Sequence, residues 1–206
     1  MNCYFWVAEN PERCQDDKMM FEDCQKSCQI CGKGIEKEYD LKKVPKQLQK
    51  VAFLIGKWRS EFGGKADFPT IPRFTYGEEI DIQLSTNMKY PVLNYTAFAW
   101  DNSDLVELHS EHGFISGSSN SSLVAMNTVM SNGFQTIEEG HEKGNSIRFL
   151  LRRIGRINFS RDLPVRYMVR DWTLLNETFL ESSVYMATTT HPMMLHTQII
   201  YKKIYP

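Results

Sequence analysis

From Gly56 to the C-terminus, apolar residues return at every second position, and turn residues interrupt the pattern at short intervals. In PRFTYGEEIDIQL, Phe74, Tyr76, Ile80 and Ile82 fall on one face, while Thr75, Glu79, Asp81 and Gln83 fall on the other. Further strand candidates follow: PVLNYTAFAW, DLVELHSEHGFIS, SSLVAMNTVM, GFQTIEEGHE, SIRFLLRR, GRINFS, VRYMVRDW, TFLESSVYMATTT and the closing HTQIIYKK. Turn signals separate them, NSD at 102–104, SNG at 131–133 and EKGN at 142–145, and Asn132-Gly133 is the strongest hairpin signal. Many short strands without helical insertions imply an all-β antiparallel barrel or sandwich. A closed barrel of about ten strands is wide enough to hold a small ligand as well as side chains. Ligand binding is therefore the natural function of such a chain, although the pattern does not name the ligand.

The first 31 residues obey a different rule. Cys3, Cys14, Cys24, Cys28 and Cys31 all lie there, and the rest of the chain has none. Such density marks a small module that is too short for a core and needs covalent staples. Zinc is the competing reading of C-x3-C-x2-C, but two clear knuckles and a histidine are missing from this stretch. An odd count leaves one thiol over. The segment that follows, GKGIEKEYDLKKVPKQLQK, is charged and poor in large apolar residues, and it reads as a linker. Leu48, Val51, Ala52 and Leu54 then form a brief helical stripe after Pro45. The organisation expected is a cysteine module at 1–32, a linker at 33–47 and a barrel at 48–206.

Charge excludes some partners. A formal charge of -1 argues against nucleic acid as a partner, and no apolar run approaches the roughly 18 residues of a membrane span. The N-terminus shows no basic region followed by an apolar one, so no signal peptide is visible, whereas the cysteines argue for secretion. Asn94, Asn120, Asn158 and Asn176 begin N-x-S/T sequons, which agree with secretion but also arise by chance. The location is secreted or extracellular if a signal peptide lies upstream, and otherwise cytoplasmic. No catalytic triad, nucleophile elbow or phosphate loop supports a hydrolase.

His196 stands inside the last strand among apolar neighbours. Strict alternation puts Met194, His196, Gln198 and Ile200 on one face, and Leu195, Thr197, Ile199 and Tyr201 on the other. Both faces hold apolar residues, so periodicity does not choose between them. On residue type alone, a hydrogen-bonded core histidine is the simpler reading, and a ligand is the sharper one. His109 shares a face with Glu107 and Glu111, either as part of a solvated face or as a pocket group hydrogen-bonded to Glu111.

LIGKWRSEFGGKADFPTIPRFTYGEEIDI, LHSEHGF, TIEEG and YMATTTHPMMLHTQIIYKK together resemble the nitrobindin family, and within it the nitrobindin domain at the C-terminus of an animal THAP-domain protein. The resemblance runs from Leu48 to Pro206 in unbroken order. It implies a ten-stranded calycin-like barrel that binds haem b, takes nitric oxide and isomerises peroxynitrite to nitrate. It places the axial iron ligand on His196, in the position of the histidine of TTxPxxxH, and a haem contact on Thr70. His109 and Met186 match pocket residues that line the cavity. The tyrosine of the family's YPT motif is Phe68 here, which removes a hydroxyl. Of the family's early GxWxGxG pattern, Gly56 and Trp58 remain, while Ser60 and Phe62 replace glycines.

The cysteine module resembles the ShKT domain through Cys3, Trp6, Cys14, Met20, Cys24, Ser27, Cys28 and Cys31. That domain has six cysteines and the first is missing here, as if the chain begins inside it. The resemblance implies Cys3–Cys24 and Cys14–Cys28 pairs and leaves Cys31 over. Lys18 matches a channel-blocking lysine, but Met19 replaces its tyrosine partner. Two other functions compete with haem chemistry: a carrier of an apolar small molecule in the barrel, and an interaction protein that docks an extracellular partner through residues 1–32. A second copy of the chain is a further candidate partner.

Overall fold

A computed structural model describes residues 35–85, 89–160 and 162–206. The expectations for the cysteine module, its disulfides and its ShKT likeness fall outside the described residues. Ten antiparallel strands close into one barrel in the order β1-β10-β9-β8-β7-β6-β5-β4-β3-β2. They are β1 Gly56–Ala66, β2 Phe74–Leu84, β3 Leu93–Asp101, β4 Glu107–Gly117, β5 Leu123–Met130, β6 Phe134–Glu142, β7 Ser146–Arg156, β8 Val165–Asn176, β9 Phe179–Thr188 and β10 Met194–Tyr205. Among the described residues, no helix is long and apolar enough to cross a membrane.

The alternation read from the sequence becomes the wall of the barrel. In β2, Tyr76, Ile80, Ile82 and Leu84 are buried while Thr75 is exposed. The expected Asn132-Gly133 hairpin joins β5 to β6, with Gly133 at φ 86°, a conformation that glycine adopts without strain. GRINFS does not form a strand of its own. β7 runs unbroken through Arg156, and the chain then turns.

One end of the barrel is closed by a 3-10 helix, Lys46–Leu54. Its buried residues, Leu48, Val51 and Leu54, are spaced by three, the repeat at which 3-10 side chains line up on one face. Trp58 packs with them, fully buried, and its indole N–H donates to the Leu54 carbonyl at 2.8 Å. Gly117 on β4 lets the helix approach closely, since a Cβ there would lie 2.2 Å from the Gln47 carbonyl oxygen. The packed unit begins before the helix. Tyr39 and Val44, in the stretch read as a linker, are buried in the same apolar cluster. The Tyr39 hydroxyl donates to Asp81 at 2.9 Å on β2.

Candidate functional site

β1 leads away from the capped end, and its last residue, Ala66, pairs with Thr197 on β10. The next residue, Asp67, donates its backbone N–H to the His196 carbonyl at 2.7 Å. His196 therefore lies at the far end of the barrel from the helix. Its orientation comes from a bulge. Leu195 pairs with Tyr185 and Thr197 with Val184, so His196 is the extra residue on β10. Strict alternation fails at that point. His196, Ile199 and Tyr201 are all buried, at 1%, 2% and 1% exposure, whereas Ile200 is 48% exposed. The bulge thus turns an imidazole inward without displacing the apolar residues that follow it.

The His196 ring is held on one side only. Its Nδ1 lies 3.0 Å from the Met194 carbonyl oxygen, which can only accept, so Nδ1 carries a proton, and in the neutral ring the lone pair is then on Nε2. Nε2 makes no hydrogen bond among the described residues. The Phe68 ring packs edge-on against the imidazole, with centroids 5.3 Å apart. Met194 pairs with Met186, and Met186 pairs with Met168, so three methionines form one row across β10, β9 and β8 beside His196. Thr70 sits exposed in the turn just beyond Phe68. A cavity of about 330 Å³ opens at the β8–β9 rim between Arg166, Tyr167 and the Thr188–Pro192 loop; His196, Thr70 and His109 do not line it.

His109 lies on β4, with three strands between it and β10 on one side and five on the other, so the two histidines stand on opposing walls. Its Nε2 is 3.2 Å from Glu111 Oε1. Glu111 also accepts from the Tyr95 hydroxyl at 3.1 Å and from Arg170 at 3.3 Å. Arg170 reaches Glu138 as well, at 3.2 Å, and Glu138 accepts from the Thr136 hydroxyl at 2.8 Å. On β2, Glu78 accepts from the buried Tyr201 hydroxyl at 2.8 Å. The barrel therefore carries a layer of charged groups across its interior.

The layer shifts its members in different directions. Burial alone would raise Glu111, but the adjacent Arg170 charge and the His109 hydrogen bond outweigh it and hold this carboxyl well below the usual range. Burial works against the charge on His109, yet the hydrogen bond and charge of Glu111 prevail and raise its pKa. Burial pushes Glu78 up to about 7.

Residues 47–203 match the family described as THAP4-like, heme-binding beta-barrel domain. The chain belongs to this family. It is 50% identical over 218 residues to the uncharacterized protein C28H8.5 of Caenorhabditis elegans, covering 100% of this chain and 72% of that protein. It is 33% identical over 159 residues to the peroxynitrite isomerase THAP4 of Rattus norvegicus, covering 77% of this chain and 27% of that protein. The chain thus spans about a quarter of the length of the mammalian relatives it matches. The crystal structure of Rv2717c from M. tuberculosis superposes with a TM-score of 0.67 at 24% identity, covering 78% of this chain and 99% of that one, and shows the same fold.

The residues of this barrel fit the group that the family's description names. Haem iron takes a neutral imidazole nitrogen, and second-shell hydrogen bonding fixes which nitrogen is offered. His196 presents Nε2 for that reason. A macrocycle also needs an apolar wall, and Phe68 and the methionine row are side chains of the kind that could form one. The resemblance pointed to Phe68 and, of the methionine row, to Met186 alone, because only strand register brings Met168 and Met194 beside it. The charged layer does leave a mark in the sequence: in VRYMVRDW, Arg170 shares a face with Met168 and Trp172.

Proposed function

We propose that this chain binds haem b, with His196 Nε2 as the axial iron ligand, and that it takes nitric oxide and isomerises peroxynitrite to nitrate. The observation that carries the reading is a buried histidine whose Nδ1 is held by a backbone carbonyl and whose Nε2 makes no hydrogen bond among the described residues. Family membership supports it, and the relatives named peroxynitrite isomerases supply the reaction. Bound haem would contribute a Lewis-acidic iron at which the peroxynitrite oxygens rearrange.

The protein's own part is positioning and exclusion of water. The Met194 carbonyl orients the imidazole, and the backbone bond from Asp67 fixes the bulge that carries it. Met168, Met186 and Met194 supply a soft apolar wall. Thr70 offers a hydroxyl at the rim, and His109 a polar group on the opposing wall. Phe68 stands where a tyrosine would offer a hydroxyl, so this position packs against the ring and donates nothing.

The test is the product ratio from peroxynitrite decay. The haem-loaded protein should shift products from nitrite towards nitrate, while His196→Ala should give the ratio of buffer alone. An unchanged ratio with fully loaded wild-type protein rejects isomerisation. The methionine row would equally suit an apolar organic ligand, and this second reading gains ground if haem addition leaves the absorption spectrum that of free haem.

A further inference from the structure

The charged layer is more elaborate than an axial ligand needs, and one of its members remains available to a small ligand. Arg170 is spent. Its guanidinium serves both Glu111 and Glu138, and its side chain is only 7% exposed. His109 is spent on one side only. Nε2 goes to Glu111, Nδ1 makes no hydrogen bond among the described residues, and the side chain keeps 30% of its surface open.

Which role Nδ1 plays depends on a single proton. In the neutral ring with Nε2–H donated to Glu111, Nδ1 is an acceptor; in the imidazolium it is a donor that carries positive charge. The groups facing the ring decide between these states. Glu111 on its own strand and Glu78 on β2 favour the charge, Arg170 on β8 opposes it, and burial opposes it first. The direct contact with Glu111 prevails, because Arg170 and the Tyr95 hydroxyl keep that carboxylate ionised. In its protonated form, which contact with the Glu111 carboxylate favours, His109 places a cationic donor on the wall opposite His196, in partly dry surroundings where charge-assisted hydrogen bonds are strong.

We propose that His109 is the residue that makes this site prefer anionic ligands over neutral ones of similar size, and that Glu111 and Arg170 are its positioning residues. The proposal rests on the haem reading above. It assigns the class of ligand: a small oxyanion or pseudohalide gains the His109 N–H, whereas nitric oxide, which carries no net charge, gains little.

The test compares azide with nitric oxide on the ferric haem-loaded protein. His109→Leu should weaken azide about ten- to a hundredfold, the scale of one hydrogen bond to a charged group, and change nitric oxide affinity by less than about threefold. His109→Gln keeps a neutral donor and should recover only part of the azide affinity. Glu111→Gln should lower the pH at which azide affinity falls away. Equal losses for both ligands, no loss for azide, or full recovery with glutamine would overturn the proposal. The apo-protein supplies a readout independent of haem. Nuclear magnetic resonance should show His109 titrating above free histidine in the wild type and lower in Glu111→Gln. If haem does not bind, the haem reading falls, and this titration decides on His109 alone: a wild-type midpoint at or below that of free histidine overturns its cationic role.

Discussion

The two ends of the barrel interior are built on opposite principles. At the capped end, Leu48, Val51, Leu54, Trp58, Ile80 and Ile82 are buried together. The one polar atom of Trp58 finds a backbone carbonyl within hydrogen-bonding distance. Towards the mouth, Glu111, Glu138, Arg170 and His196 are also buried, and each depends on particular partners. Apolar packing stabilises the fold wherever it fits, whereas a buried ion cluster gives little net stability and penalises the loss of any single member. The capped end accounts for the fold, and the mouth-side half has features that stability alone does not require.

The largest effect should come from breaking the charged layer. Arg170→Leu leaves Glu111 and Glu138 buried without their cation and should cost about 3–5 kcal/mol in urea unfolding. Replacing Glu111 and Glu138 by apolar residues in the same protein should restore most of that loss while leaving the His109 pKa low. If the single change costs less than about 1 kcal/mol, the contrast between the two ends is wrong.

Leu54→Ala at the capped end should cost a similar or somewhat smaller amount, about 2–5 kcal/mol, through the cavity it leaves. Its haem affinity, measured below the unfolding transition, should stay within about threefold of the wild type, since the helix and His196 occupy opposite ends. A haem defect matching that of a mouth-side variant would merge the two regions into one.

A smaller effect is expected from pH. Glu78 is raised in the folded protein to about 7, so its contribution to stability is fully present below the carboxyl value of the unfolded chain, about 4.3, and is lost as pH rises through about 7. Glu78→Gln should remove that part of the pH dependence. The Glu111 contribution has the opposite sign. Its pKa is depressed, so its stabilisation holds above about pH 4.3 and fades as pH falls below that value. Urea titrations from about pH 2 to 8 on Glu78→Gln and Glu111→Gln separate the two.

What could be read from the sequence follows the same division. The regular strands were legible because alternation is a local property: Tyr76, Ile80 and Ile82 face inward as their spacing says. The last strand was not, because one added residue at His196 reverses the faces beyond it, and only pairing with β9 reveals the bulge. The methionine row likewise exists only in register. Tyr39 and Val44 were hidden by the charges around them in EKEYDLKKV, where composition outweighed two individual apolar residues. His196 was singled out by the resemblance of its motif, while its burial on a bulge and its contact with the Met194 carbonyl emerge only from the fold.

The central claim is that His196 offers Nε2 to haem iron, and a ligand-replacement titration tests it most directly. Haem added to the wild-type protein should give a shifted Soret band with saturable, one-to-one uptake. In His196→Gly the shifted band should be absent, and free imidazole added to that variant should restore it by entering the space left by the ring. A variant that keeps the wild-type band without imidazole would contradict the account, because the iron would then be held by another residue.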